Sequence, residues 1–140
     1  MNQFVQKYVA LEREVAAERG EMSLFALLLR DDAPDRWDLV IAAPWAIADR
    51  RAALDYLVGK IKSSLGSEEL VNLSRIVLAE PDDEAVRAFN AGMHVQHGST
   101  EFRDCNFFGL QIRHAFLITS QSLEGRRSAG IATSATPVAA

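Results

Sequence analysis

Apolar residues fall into short continuous runs and into spaced stripes, which together predict alternating strands and helices. The run Met22–Leu29 is almost entirely apolar, so we predict a strand covered on both faces and therefore central in its sheet. Trp37–Ala43 is the predicted returning strand of a hairpin, and Pro44 ends it. Further strands are predicted over 75–79, 100–105 and 110–119. In the last strand, alternation places four side chains on one face: Ile112, His114, Phe116 and Ile118.

Helices are predicted where apolar residues recur every three or four positions. The first covers 1–19, and its apolar face consists of Phe4, Tyr8, Leu11 and Val15. The second is capped by Asp49, and its apolar stripe consists of Leu54, Leu57, Val58, Ile61 and Leu65. The third starts near Pro81, ends by Gly98, and turns Val86, Phe89 and Met93 toward the core.

The resulting order of elements is α-β-β-α-β-α-β-β. We predict a single α/β domain over residues 1–120, with a mixed five-stranded sheet flanked by helices. The last segment, 121–140, is rich in Ala, Ser and Thr and has no large apolar periodicity, so we expect a flexible tail.

The composition excludes several classes of protein. The chain has 140 residues, of which 49% are hydrophobic and 24% charged, as in one ordinary globular domain. The single cysteine, Cys105, cannot form an internal disulfide, and no apolar run is long enough to span a bilayer. Residues 1–4 do not resemble a signal peptide, so we expect a cytoplasmic protein with no membrane partner. A net charge of −4 argues against nucleic-acid binding.

Acidic residues follow three of the predicted strands. If the strands connected through helices are parallel neighbours, the chain after Pro44-Trp45, the segment 80–84 and the segment 104–106 meet at one edge of the sheet. Glu80, Asp83 and Asp104 could there hold Mg²⁺ through oxygen ligands. The simpler interpretation is that the acids at 82–84 stabilise the first turn of a helix. Four aspartates form a second acidic group, which we interpret as a solvated turn: Asp31, Asp32, Asp35 and Asp38.

The histidines and the cysteine have weaker chemical signatures. His94 and His97 would share a helix face, and His114 could be a third zinc ligand, but no metalloprotease motif is present. We expect His114 to point into the core and Cys105 to be a small buried hydrophobe. We therefore assign no catalytic residue, resident metal or cofactor.

Aromatic residues near turns favour a contact surface. Trp45 precedes Arg50 and Arg51, and Trp and Arg are enriched in protein interfaces. Phe107 and Phe108 lie in a short connection, where they are either a plug over the core or part of an interface.

Three segments resemble a group of small bacterial α/β proteins with no known activity. They are Arg36–Trp45, Ser74–Leu78 and Asn106–Phe116. The resemblance extends over about residues 20–120 and implies a bacterial, stand-alone domain without adding a catalytic residue. We therefore predict a non-enzymatic module that binds a protein partner or forms a homo-oligomer. The alternative is a Mg²⁺-dependent enzyme acting on phosphate esters or nucleic acid through the carboxylates at the sheet edge.

Overall fold

A computed structural model describes residues 2–32, 36–66, 70–107 and 109–123 of the chain. Within these ranges the helices are α1 (Asn2–Arg19), α2 (Pro44–Ala48), α3 (Arg50–Ser64) and α4 (Glu84–Gly92). The strands are β1 (Leu24–Arg30), β2 (Trp37–Ala42), β3 (Leu73–Ala79), β4 (Thr100–Phe107) and β5 (Leu110–Ser120). The predicted α/β class and the predicted order of elements are confirmed.

The five strands form one mixed sheet in the order β3-β2-β1-β5-β4. Strand β1 is central and pairs antiparallel with both β2 and β5, as its apolar sequence predicts. Strand β3 pairs parallel with β2 at one edge, and β4 pairs antiparallel with β5 at the other. The chain therefore crosses the whole sheet between β3 and β4.

Local sequence fixes where the helices begin and end. Helix α1 stops at Gly20, whose φ of 122° suits a residue without a Cβ atom. The side chain of Asp49 accepts a hydrogen bond from the amide of Ala52 and caps α3, as predicted. Helix α4 begins later than Pro81 suggests, because Asp83 is its N-cap and accepts from the amide of Ala85.

Each face of the sheet has its own hydrophobic core. On the first face, α1, α2 and α3 pack against one face of β1 and β2, in a cluster that includes Tyr8, Phe25 and Leu57. On the second face, α4 packs against the other side of the same strands, in a cluster that includes Leu24 and Val86. The fold therefore has three layers, with the sheet in the middle.

Three details differ from the predictions. Of the predicted stripe on the second helix, Leu57, Ile61 and Leu65 are buried, whereas Leu54 and Val58 are 36% and 39% exposed, because α3 buries Ala53 beside Leu57 instead. Ile112 packs in the second core and not beside Phe116, because the pairing of β5 with β1 shifts register between Leu29 and Arg30. Helix α4 ends at Gly92, six residues before the predicted stop at Gly98.

Among the described residues, no helix is long and apolar enough to cross a membrane. Of the predicted tail, the structure describes only 121–123, and 124–140 lie outside the described residues. Gln121 is buried, and its amide groups bond back to the backbone of Met22 and Ser23. The packed domain thus includes Gln121.

Candidate functional site

The carboxyl ends of the parallel strands β2 and β3 lie side by side. A cleft of about 620 Å³ opens beyond them, between α2 and α4. Pro44 and Ile47 line it on one side and Arg87 and Asn90 on the other, and Glu80 also lines it. Ligands of open α/β sheets bind at this position, just outside the carboxyl ends of the strands.

Three of the predicted site residues meet near this edge. The guanidinium of Arg50 lies 3.6 Å from a carboxylate oxygen of Glu80, and it donates a 3.0 Å hydrogen bond to the carbonyl of Leu78. Asp83 lies nearby and caps α4 with its carboxylate. Capping the helix is thus sufficient to explain an acid at position 83, and no ligand is needed for it.

Asp104 does not join this group, so the prediction of one acidic edge is wrong. Strand β4 lies at the opposite edge from β3, and its start, not its end, lies beside the end of β5. Strand β3, which Glu80 directly follows, is therefore separated from Asp104 in β4 by three strands. Among the described residues, no three His, Cys, Asp or Glu side chains are arranged to hold a metal ion.

The predicted aromatic residues stabilise the cores. Trp45 is half-buried, meets Tyr56 edge-on at 6.2 Å, and donates from its indole nitrogen to the carbonyl of Gly20. Phe107 is buried and packs edge-on against Phe89 at 4.2 Å, so it is a plug over the second core. Phe108 lies outside the described residues.

Helix α3 presents an exposed surface that mixes apolar and charged groups. We define the α3 surface as Arg51, Leu54, Asp55 and Val58, all of which are exposed. Leu54 and Val58 are one helical turn apart and so share a face. Arg51 and Asp55 make no ion pair within the described parts of the chain. The predicted interface residue Arg51 belongs to this surface.

A second depression lies over β2 and β3 on the second face of the sheet. We call it the β2–β3 groove; its volume is about 330 Å³. Its floor is apolar, with Leu28, Val40 and Val77. Charged side chains close both ends: Asp38 and Arg75 at one, and Arg50, Glu80 and Asp83 at the other.

Asp38 is the most unexpected residue of this groove. It is 3% exposed inside β2 and not part of a solvated turn, so that interpretation is wrong for Asp38. Its Oδ2 atom accepts a hydrogen bond from Nε of Arg75 and forms an ion pair with Nε of Arg30, each at 3.1 Å. Its Oδ1 atom is buried without a hydrogen-bond partner among the described residues. The sequence feature that could have indicated this buried acid is its position inside the otherwise apolar run Trp37–Ala43.

A buried carboxylate, a histidine and a hydroxyl join α1 to the chain around β5. Glu12 is fully buried; Nδ1 of His97 lies 2.7 Å from its Oε1, and the Thr119 hydroxyl donates to its Oε2 at 2.8 Å. His97 has a φ of 54°, a left-handed conformation that histidine tolerates better than most residues. Its Nε2 lies 3.7 Å from Glu21. No local sequence pattern indicates this network, because Glu12 is 85 positions from His97 and 107 from Thr119.

The other histidines and the cysteine occupy unrelated positions. His94 is exposed beyond the end of α4, so it shares no helix face with His97. His114 packs near Trp37 and Phe116, and its Nε2 lies within hydrogen-bond distance of the Glu101 carboxylate. Cys105 is half-buried against the second core, and burial raises the pKa of its thiol. The structure thus separates the residues from which a zinc site was considered.

No protein-family model, curated protein or solved structure matches the chain.

Proposed function

We propose that this protein is a cytoplasmic interaction module that self-associates through the α3 surface. The observation that carries the proposal is the exposure of Leu54 and Val58 side by side on α3. In the monomer these two large apolar side chains stay in contact with water, so the favourable free energy of burying them is not gained. A contact that covers them would recover that free energy, and neighbouring apolar exposure often marks interfaces.

The charges beside this apolar pair favour a second copy as the partner. Arg51 and Asp55 have opposite charges and flank Leu54 on the same exposed helix. In a two-fold symmetric contact, residue i meets residue j of the other copy, and j meets i in return. Two antiparallel α3 helices can therefore pair Arg51 of each copy with Asp55 of the other. Val71, which is 68% exposed just before β3, offers additional apolar area outside the α3 surface.

The alternative, an enzyme that uses Glu80, Asp83 and Asp104, is weakened because the three carboxylates do not meet at one edge of the sheet. Glu80 is paired with Arg50, and Asp83 is committed to the cap of α4. Asp104 lies at the other edge of the sheet. The α3 surface therefore supports an interaction function better than the sheet edge supports phosphoryl chemistry.

The mass of the protein in solution tests the proposal. Size-exclusion chromatography with light scattering should give a dimer for the full chain, and Leu54→Glu should give a monomer because it buries a charge in the contact. Arg51→Asp should also weaken the dimer. Combining Arg51→Asp with Asp55→Arg should restore it, because the pair is then reversed in both copies.

Ala10→Glu, at an exposed position of α1, is the matched control and should leave the dimer intact. A wild-type protein that stays monomeric at all concentrations tested would overturn the proposal. So would a dimer that is insensitive to Leu54→Glu.

A further inference from the structure

The end of the β2–β3 groove near Asp38 carries an uncommon arrangement of charge. One oxygen of a 3% exposed carboxylate receives two guanidinium groups, those of Arg30 and Arg75. Arg30 also approaches Asp32 at 3.5 Å, but that carboxylate is 73% exposed, so solvent screens it strongly. The buried negative charge holds both arginines in place, and of the two, Arg75 lines the groove.

Arg75 retains unused binding capacity in this arrangement. It contacts Asp38 through Nε alone, and its terminal nitrogens, Nη1 and Nη2, have no partner within the described parts of the chain. Its side chain is 49% exposed, so these nitrogens are open to solvent. A guanidinium presents a planar pair of N–H groups that matches the two oxygens of a carboxylate. Because Asp38 fixes the side chain, little conformational entropy would be lost when an anion binds.

The floor of the groove indicates what the anion is attached to. Val77 follows Arg75 by two residues on the same face of β3 and pairs with Val40 of β2, so an apolar track leads away from Arg75. Val77 is its partly exposed member, and Val40 lies buried beside it. The track runs from Arg75 to Ala79 in β3, a length of about 13 Å at about 3.3 Å per residue. An apolar chain lying there would be partly removed from water, which favours binding.

The far end of the groove excludes a second negative charge. Glu80 and Asp83 are both there, while the single cation, Arg50, is already paired with Glu80. A ligand with anionic groups at both ends would meet like charge at that end. The groove therefore fits a ligand with one anionic head and an uncharged tail.

We infer that the β2–β3 groove binds a small monocarboxylate with an apolar chain, with its carboxylate on Arg75 and its chain over Val40 and Val77. The site is independent of the α3 surface and does not rest on self-association.

Calorimetry of the full chain with octanoate tests this inference, with octylammonium as the ligand of opposite charge. Octanoate should bind with one molecule per chain, and octylammonium should not bind detectably. Arg75→Gln should weaken octanoate binding about tenfold or more, because the charge-assisted pair of hydrogen bonds is lost. Arg75→Lys should weaken it less, since the charge remains while the fork is lost.

Arg103→Gln removes an exposed arginine on β4, at the opposite edge of the sheet from Arg75, and should leave octanoate affinity unchanged. In amide NMR spectra, octanoate should shift the signals of Val40 and Val77 in the wild-type protein. These shifts are measured on the wild-type protein, so they test the site even if Arg75→Gln does not fold. The inference fails if octanoate does not bind, if octylammonium binds equally well, if Arg75→Gln binds like the wild type, or if the shifts lie elsewhere.

Discussion

At the scale of single residues, two carboxylates are buried inside the domain, each with partners from a distant part of the chain. Asp38 and Glu12 are 3% and 0% exposed, although acids are rarely buried without partners. Their partners come from distant parts of the chain, since Arg75 is 37 positions from Asp38 and His97 is 85 from Glu12. Periodicity describes only neighbouring positions, so no local pattern could have paired them.

The Glu12–His97 contact should be a strong local determinant of stability. Asparagine tolerates the left-handed backbone at 97 but is too short to reach Glu12, so His97→Asn tests the contact without adding backbone strain. We expect it to lower the free energy of unfolding by about 1–3 kcal/mol, because a buried acceptor loses its partner. Urea denaturation measures the change.

His94→Asn is the matched control, since His94 is exposed, and should change stability by no more than about 0.5 kcal/mol. Equal effects of the two substitutions would mean that the network around Glu12 contributes nothing. A double substitution with Thr119→Val should cost less than the sum of the single ones, because both remove partners of the same carboxylate.

At the scale of elements, the strands were predicted better than the faces of the helices. Strand β1 was placed correctly because an apolar run of that length fits a central strand. In α3, the apolar positions form a stripe wider than one face can bury, and the small side chain of Ala53 lets the helix pack on the Leu57 and Ile61 side. Leu54 and Val58 are left outside, so the residues predicted as core became the candidate interface.

The contact between α1 and α3 should make stability depend on pH in two regions. Tyr56 donates a 2.6 Å hydrogen bond from its hydroxyl to Glu18, and Lys60 donates to both Glu14 and Glu18. The hydrogen bonds from Tyr56 and then Lys60 lower the pKa of Glu18 below its ordinary 4.5. Burial, and then the hydrogen bond to Glu18, raise the pKa of Tyr56 to about 12.

The signs of these shifts define the two regions. A lowered pKa in the folded state stabilises the protein above pH 4.5, and this contribution disappears as the pH falls through the lower value. The raised pKa of Tyr56 stabilises the folded protein below pH 10, and this contribution disappears as the pH rises from 10 toward 12. Tyr56→Phe should therefore lower the urea midpoint at pH 7, with a difference from wild type that shrinks in acid and again above pH 10.

Lys62→Gln, an exposed position on the same helix, is the control for a general effect of changing α3. Its difference from wild type should be small and show no loss between pH 10 and 12. A Tyr56→Phe difference that stays constant across the whole range would contradict the assigned pKa shifts.

At the scale of the whole molecule, the sequence predicts the elements but only some of their neighbours. The parallel pairing of β2 and β3 follows from the helical crossover between them, because a crossover of that kind joins parallel neighbours. The link from β3 to β4 also contains a helix, yet it leads to the opposite edge and to an antiparallel direction. The apolar pattern marks where each strand and helix lies but not which strand it pairs with. The sequence therefore does not separate Asp104 from Glu80.

The three-layer arrangement makes the two proposed surfaces independent. The α3 surface belongs to the layer on the first face of the sheet, and Val40 and Val77 of the groove belong to the second. The free energies of substitutions at well-separated sites add. Arg51→Asp should therefore weaken the dimer without changing octanoate affinity, and Arg75→Gln should do the reverse. The double variant should show both losses at their single-variant sizes, measured by light scattering and calorimetry on the same samples.

If saturating octanoate changes the dimer constant, or Arg51→Asp changes octanoate affinity, the two faces are coupled. Arg50, which begins α3 and also lines the groove, would then be the first residue to replace, because it touches both layers.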